Sequence, residues 1–164
     1  MRIALAALLL LAACAAPTSI RDQSAPIRSI ALFDFANFAG DWHVVARLPD
    51  SADSLCQLVG FRVTALTPAD FVVSDQCGNE SKARITGPGR FAFETLPGQR
   101  AEDRWVLWVD DAYSTAVIAT PSGDTAQILN RTSDIRSDRL TAAFDVLRFN
   151  GFDPSDLVMT SAAR

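Results

Sequence analysis

Residues able to carry out chemistry are sparse in this chain. His43 is the only histidine among 164 residues, so no pair of imidazoles is available for a zinc site. It follows Trp42 in the run Trp42-His43-Val44-Val45-Ala46-Arg47-Leu48-Pro49. Neighbours in an extended run point to opposite faces, so an inward Trp42 places His43 outside. Asp110-Asp111 is a carboxylate pair, but adjacent acids just before Tyr113 read as a polar turn rather than as acid/base machinery. No Gly-x-Ser-x-Gly elbow, Walker loop or dinucleotide fingerprint is present. The expectation is therefore a protein that is not an enzyme, with no catalytic residue, metal or cofactor. Arg84, Arg90 and Arg104 are candidates to meet a ligand carboxylate, although each also reads as an exposed, solvated arginine.

What the chain has in quantity is apolar side chains at alternate positions. Val59, Phe61, Val63 and Ala65 share one face of an extended run, with Arg62 and Thr64 on the other. Phe71 and Val73, Ala83 and Ile85, and Phe91 and Phe93 repeat the pattern. Strands are expected near 42–48, 58–66, 70–76, 82–87, 90–96, 104–109, 113–120 and 125–131, at the regular spacing of a sandwich or barrel. The connections Thr67-Pro68-Ala69-Asp70, Gly78-Asn79, Gly87-Pro88-Gly89 and Pro121-Ser122-Gly123-Asp124 are rich in turn-forming residues. Eight antiparallel strands on short loops can close on themselves and so remove both exposed edges. The expected ligand-facing residues of such a lumen are Phe61, Val63, Phe71, Val73, Ile85, Phe91, Phe93 and Trp108. The same residues could instead fill the barrel. Trp105 and Trp108 fall on opposite faces of a regular strand, so one is expected inside and the other against helix or solvent; Trp108 is carried as the lumen candidate while the choice stays open.

Two further elements frame the lumen. Gly40 suits a tight approach to the first strand where a Cβ would clash, and Trp42 then covers the floor of the cup. Arg131 can stack its guanidinium on that indole while its edges bond backbone carbonyls. After the strands, Leu140, Ala143, Phe144 and Leu147 recur at i, i+3, i+4 and i+7, which predicts an amphipathic helix capped by Ser137 and ended by Asn150-Gly151. It would lie outside the barrel, ahead of a short last strand near 157–160.

Three segments stand in order along the chain: Phe33-Asp34-x-x-x-Phe38-x-Gly40-x-Trp42 continuing to Ala46-Arg47-Leu48-Pro49, then Asp110-x-x-Tyr113-Ser114-Thr115-Ala116-Val117-Ile118, then Ile128-Leu129-Asn130-Arg131-Thr132. Together they resemble the lipocalin family. The similarity runs from about Phe33 to Thr160 and looks closest to bacterial outer-membrane lipoprotein lipocalins. It implies an all-β fold with one helix: an eight-stranded antiparallel up-and-down barrel with a C-terminal amphipathic helix packed outside. It also implies a module that binds, stores or transports small hydrophobic ligands, fatty acids or lysophospholipids at class level. A filled barrel that serves protein interaction is the alternative, and a lipocalin-fold enzyme acting on a lipid is a more distant one. The chain departs from the bacterial pattern in two places: His43 stands where an aromatic residue commonly follows the tryptophan, and Thr125-Ala126-Gln127 replaces a more aromatic strand.

The N-terminus is read apart from the fold. Arg2 and the apolar Ile3 to Leu11 make a signal segment too short for a bilayer span of roughly 20 residues. Leu11-Ala12-Ala13-Cys14 resembles a bacterial lipobox, which implies cleavage after residue 13 and acylation of Cys14, with chains such as palmitate as the membrane anchor. The expected organisation is a signal peptide over 1–13, a lipidated tether over 14–29 and a barrel domain over 30–164. Ala15 after the cysteine favours the outer membrane, with the domain facing the periplasm. With Cys14 assigned, Cys56 and Cys77 remain as one even pair for a disulfide in an oxidising compartment, or as two free buried thiols. The formal charge of −4, without a basic patch, argues against nucleic acid as a partner. Oligomeric state is not legible.

Overall fold

The computed structural model describes residues 20–49, 59–94, 102–160 of the chain. Its strands are β1 (Gly40–Arg47), β2 (Gly60–Ala65), β3 (Asp70–Asp75), β4 (Glu80–Gly87), β5 (Arg90–Phe93), β6 (Glu102–Val109), β7 (Thr115–Ala119), β8 (Ala126–Asn130) and β9 (Val158–Met159). Two helices accompany them, α1 (Phe35–Phe38) and α2 (Ser137–Phe149). Each strand from β2 to β7 pairs antiparallel with the next, and β1 pairs with both β8 and β2. The sheet therefore closes into an eight-stranded barrel without a free long edge. β9 pairs with Ala46 and Arg47, where β2 no longer reaches along β1.

The connections sort to two ends. The turns after β2, β4, β6 and β8 gather at the end closed by α1, and those after β1, β3, β5 and β7 surround the other, the mouth. Inside the barrel Trp42, Val44, Val63, Phe71, Phe91 and Val106 belong to one buried cluster. A second cluster lies between the barrel wall and α2, where Val45, Val117 and Ile128 meet Ala143, Leu147 and Phe152. The helix packs on β6 and β7 with the apolar face expected from its spacing. Ser137 is not its cap, however: Arg136 occupies that position without a capping side-chain bond, and Ser137 is the first helical residue. Among the described residues no helix is long and apolar enough to cross a membrane.

The distal part of the segment read as a tether is docked rather than free. Arg21 is buried and donates from Nε to Pro121 O at 3.2 Å and from Nη1 to Ala25 O at 2.7 Å and Asn150 O at 3.2 Å. Asp22 N donates to Gly151 O at 2.8 Å, and Ile30 N to Val106 O at 2.8 Å. A Cβ on Gly151, which has φ +86, would stand 2.7 Å from Asp22 O, so the strap and the helix end fit only around a glycine. Composition pointed to a linker because Pro, Ser and Gln are frequent there; the buried guanidinium and the backbone bonds overrule it.

Candidate functional site: the barrel lumen

The floor is built first, because it limits what the lumen can hold. Asp34 caps α1 by accepting from Ala36 N at 2.9 Å, and its own backbone N–H donates to Tyr113 Oη at 2.7 Å. The short helix drops Phe35 and Phe38 into the barrel end beside Phe33. Phe38 lies 5.0 Å from Trp42 between ring centroids, Phe35 4.9 Å from Phe71, and Phe71 5.0 Å from Phe91. Trp42 Nε1 donates to Phe38 O at 2.8 Å. The Arg131 guanidinium sits 3.8 Å over the Trp42 ring. Its edges donate to Asp41 O at 2.8 Å, Asn37 O at 2.6 Å, Ala39 O at 3.0 Å and Tyr113 O at 3.1 Å. Partial burial lowers the Arg131 pKa, with Asp41 opposing that shift. A Cβ on Gly40, at φ +102, would stand 3.3 Å from Arg131 Nη1, which is the close approach expected for this glycine.

Above the floor, Phe61, Val63, Phe71, Val73, Phe91 and Phe93 converge on one apolar cavity, as their alternation predicts. Ile85 packs with the same cluster without lining the cavity. Trp108 is a correction. A bulge between Val106 and Trp108 shifts the register against β7, so Leu107 and Trp108 both go to the helix side while Val106 and Val109 face the lumen. Trp105 is outside as well, with the Arg90 guanidinium 4.3 Å from its ring centroid. Neither tryptophan of β6 lines the cavity.

The cavity holds about 20 Å³. That is room for about one water molecule and far too little for an acyl chain. Alternation alone leaves an open cup and a filled one equally possible; the described residues show it nearly filled. Phe33, Phe35 and Phe38, which come from outside the strands, supply the extra volume.

Of the three candidate cations, only Arg104 lines the cavity. Its guanidinium lies 4.6 Å over the Phe93 ring and its Nε donates to Glu102 Oε1 at 2.9 Å. Arg84 faces out, paired with Asp70 at 2.7 Å. Phe38 and Ile118 are cavity walls that the strand patterns did not single out.

The polar candidates elsewhere have structural roles. Asp110 Oδ1 accepts from Ser114 N at 2.6 Å and Thr115 N at 2.8 Å, and Oδ2 pairs with Arg139 at 3.2 Å, so this carboxylate ties a turn to α2. His43 borders a shallow outer hollow with Asp41 and Asp75. Among the described residues no group of three or more His, Cys, Asp or Glu is arranged to hold a metal. Cys77 stands in the turn after β3, while Cys56 and Cys14 lie outside the described residues.

With this barrel and floor in place, residues 33–162 match the Lipocalin-like domain family. The chain belongs to the lipocalin-like family. Solved lipocalin-fold structures agree in architecture at low identity. Apocrustacyanin C1 is 15% identical over 77% of this chain and 78% of that one, with a TM-score of 0.61. Insecticyanin from the tobacco hornworm Manduca sexta is 19% identical over 84% and 87%, with a TM-score of 0.60. The siderocalin Ex-FABP, described as functioning through dual ligand specificities, is 16% identical over 75% and 93%, with a TM-score of 0.55. No curated protein matches by sequence. These likenesses carry the fold; lipocalins as a class bind small hydrophobic ligands.

Proposed function

We propose that this lipocalin binds one single-chain amphiphile, a fatty acid or lysophospholipid, through the mouth of its barrel. The observation that carries the reading is the convergence of six apolar side chains from β2, β3 and β5 on one cavity with Arg104 in its wall. A chain enters by displacing side chains. Phe61 is the second residue of β2 and only partly buried, and Phe93 is the last of β5, so these two stand where the mouth can widen. Arg104, whose Nε is held by Glu102, offers its Nη groups to the head of an acidic ligand. In the same reading residues 1–13 are a signal peptide and Cys14 carries the lipid anchor. The domain then serves the periplasmic face of a bacterial outer membrane, with Cys56 and Cys77 joined as a disulfide.

Titration of the folded protein with palmitate and with a lysophospholipid should quench tryptophan fluorescence and saturate near one ligand per barrel. No response from a well-folded sample across a broad lipid panel would sink the reading. Native mass spectrometry of protein extracted from the envelope tests the anchor at the same time, since an acylated Cys14 adds mass that a retained ligand does not add covalently. A filled barrel that acts through its surface is the second reading, favoured by the 20 Å³ cavity, and absence of ligand in both experiments would support it.

A further inference from the structure

One buried polar atom in the wall of the barrel has no partner. Gln127 is 5% exposed, and its Oε1 makes no hydrogen bond. A buried acceptor left without a donor forfeits the hydrogen bond that water supplies in the unfolded chain, so such atoms are rare without a cause. Cross-strand partners carry their side chains on the same face of a sheet. Gln127 is the partner of Ile118, which lines the cavity, so its side chain shares the lumen face. On its other side it is the partner of Arg47. It is the second residue of β8, close to the mouth, whereas Leu129 on the same face is deep in the aromatic cluster.

Arg104 approaches the same wall from β6. It precedes by two residues Val106, the partner of Ile118, and its side chain is 27% exposed. Along adjacent strands β6, β7, β8 and β1 the lumen face near the mouth therefore reads Arg104, Ile118, Gln127, Arg47. From β2 to β5 the same face carries Phe61, Val73 and Phe93 in the cavity wall, together with Asp75, the partner of Phe61, and Ser81, the partner of Val73.

A carboxylate can meet Arg104 but gives an unpaired acceptor nothing, because it has no proton to donate. We propose that the wall formed by Arg104 and Gln127 is a head-group subsite selecting acyl ligands that carry a free hydroxyl beside the acidic group. The acid faces Arg104, the hydroxyl donates to Gln127 Oε1, and the acyl chain lies along the phenylalanine wall. The inference rests on the lumen-binding reading above and narrows its ligand class from plain fatty acids to hydroxylated acyl acids.

The test compares decanoic acid with 3-hydroxydecanoic acid on residues 15–164, which retain every described residue, by calorimetry or tryptophan fluorescence. Wild-type protein should bind the hydroxy acid about tenfold more tightly, the worth of one good buried hydrogen bond. Gln127→Leu should abolish that preference, and Gln127→Met provides a second apolar replacement should the branched side chain disturb folding. Equal affinity for the two acids in wild-type protein would overturn the subsite while leaving lumen binding intact. A preference that survives both Gln127 variants would overturn the assignment to this residue. Failure of both acids to bind a folded protein would overturn the lumen reading and the subsite together.

Discussion

The two ends of the barrel are built on opposite principles. At the floor the strong donors are answered: Trp42 Nε1 bonds Phe38 O, and Arg131 stacks on the indole while it bonds five carbonyls from α1, the Ala39 that follows it, β1 and the turn before β7. At the mouth Gln127 keeps an unanswered oxygen, Phe61 and Val73 are only partly buried, and Arg104 is shared between Glu102 and the Phe93 ring. The floor is a sealed joint whose residues serve stability. The mouth leaves interaction capacity unused, which is what a binding surface requires before its ligand arrives.

If that contrast holds, the ends should respond differently to truncation. The largest loss is expected from Phe91→Ala, because Phe91 packs against Phe33, Phe35, Phe38 and Phe71. It should cost about 3–5 kcal/mol by denaturant unfolding, whereas Phe61→Ala near the mouth should cost on the order of 1 kcal/mol. Equal costs would erase the distinction. Arg131→Ala comes next, at about 2–3 kcal/mol, since it removes the cation from Trp42 and leaves several partly buried carbonyls unpaired. A thermal melt indistinguishable from wild type would show that the floor joint is ornamental.

The smallest effect is expected at the exposed Asp41–Arg62 pair beside the floor, 2.7 Å long. The hydrogen bond from Arg62 holds the Asp41 carboxyl below its usual range. A depressed folded-state pKa gives stability that is present above the unfolded value of about 3.9 and fades as pH falls through the lower folded one. Acid unfolding of Arg62→Met should therefore lose a shallow part of its pH dependence below about pH 4, and an unchanged acid limb would remove the pair from the account.

The floor was readable in the sequence because its parts are distinctive residue types at fixed places: a glycine that cannot carry a Cβ, an indole two residues later, and a guanidinium far along the chain. Phe61, Val63, Phe71, Val73, Phe91 and Phe93 were readable because regular alternation sorts side chains between faces. Trp108 was not, since one extra residue at a bulge reverses the parity of everything beyond it, and nothing in Trp105-Val106-Leu107-Trp108 marks that residue. The filling of the lumen also escaped, because Phe33 and Phe35 act from a strap and a one-turn helix rather than from strands. Gln127 was visible as a departure from an aromatic pattern, but its significance depends on an atom without a partner, which only three dimensions disclose.

The docked strap sets a length that composition could not. Arg21 is fastened to Pro121 O and Gln23 to Ser122 O at 2.8 Å, both in the turn between β7 and β8 that borders the mouth. With Cys14 acylated as proposed, residues 15–20 alone would span the distance to the lipid, at most about 20 Å. On that proposal a domain moored so closely would pivot beside its own opening rather than roam. On the same proposal the sealed floor would turn away from the bilayer, and an acyl chain leaving the membrane would meet the mouth within roughly one leaflet's thickness.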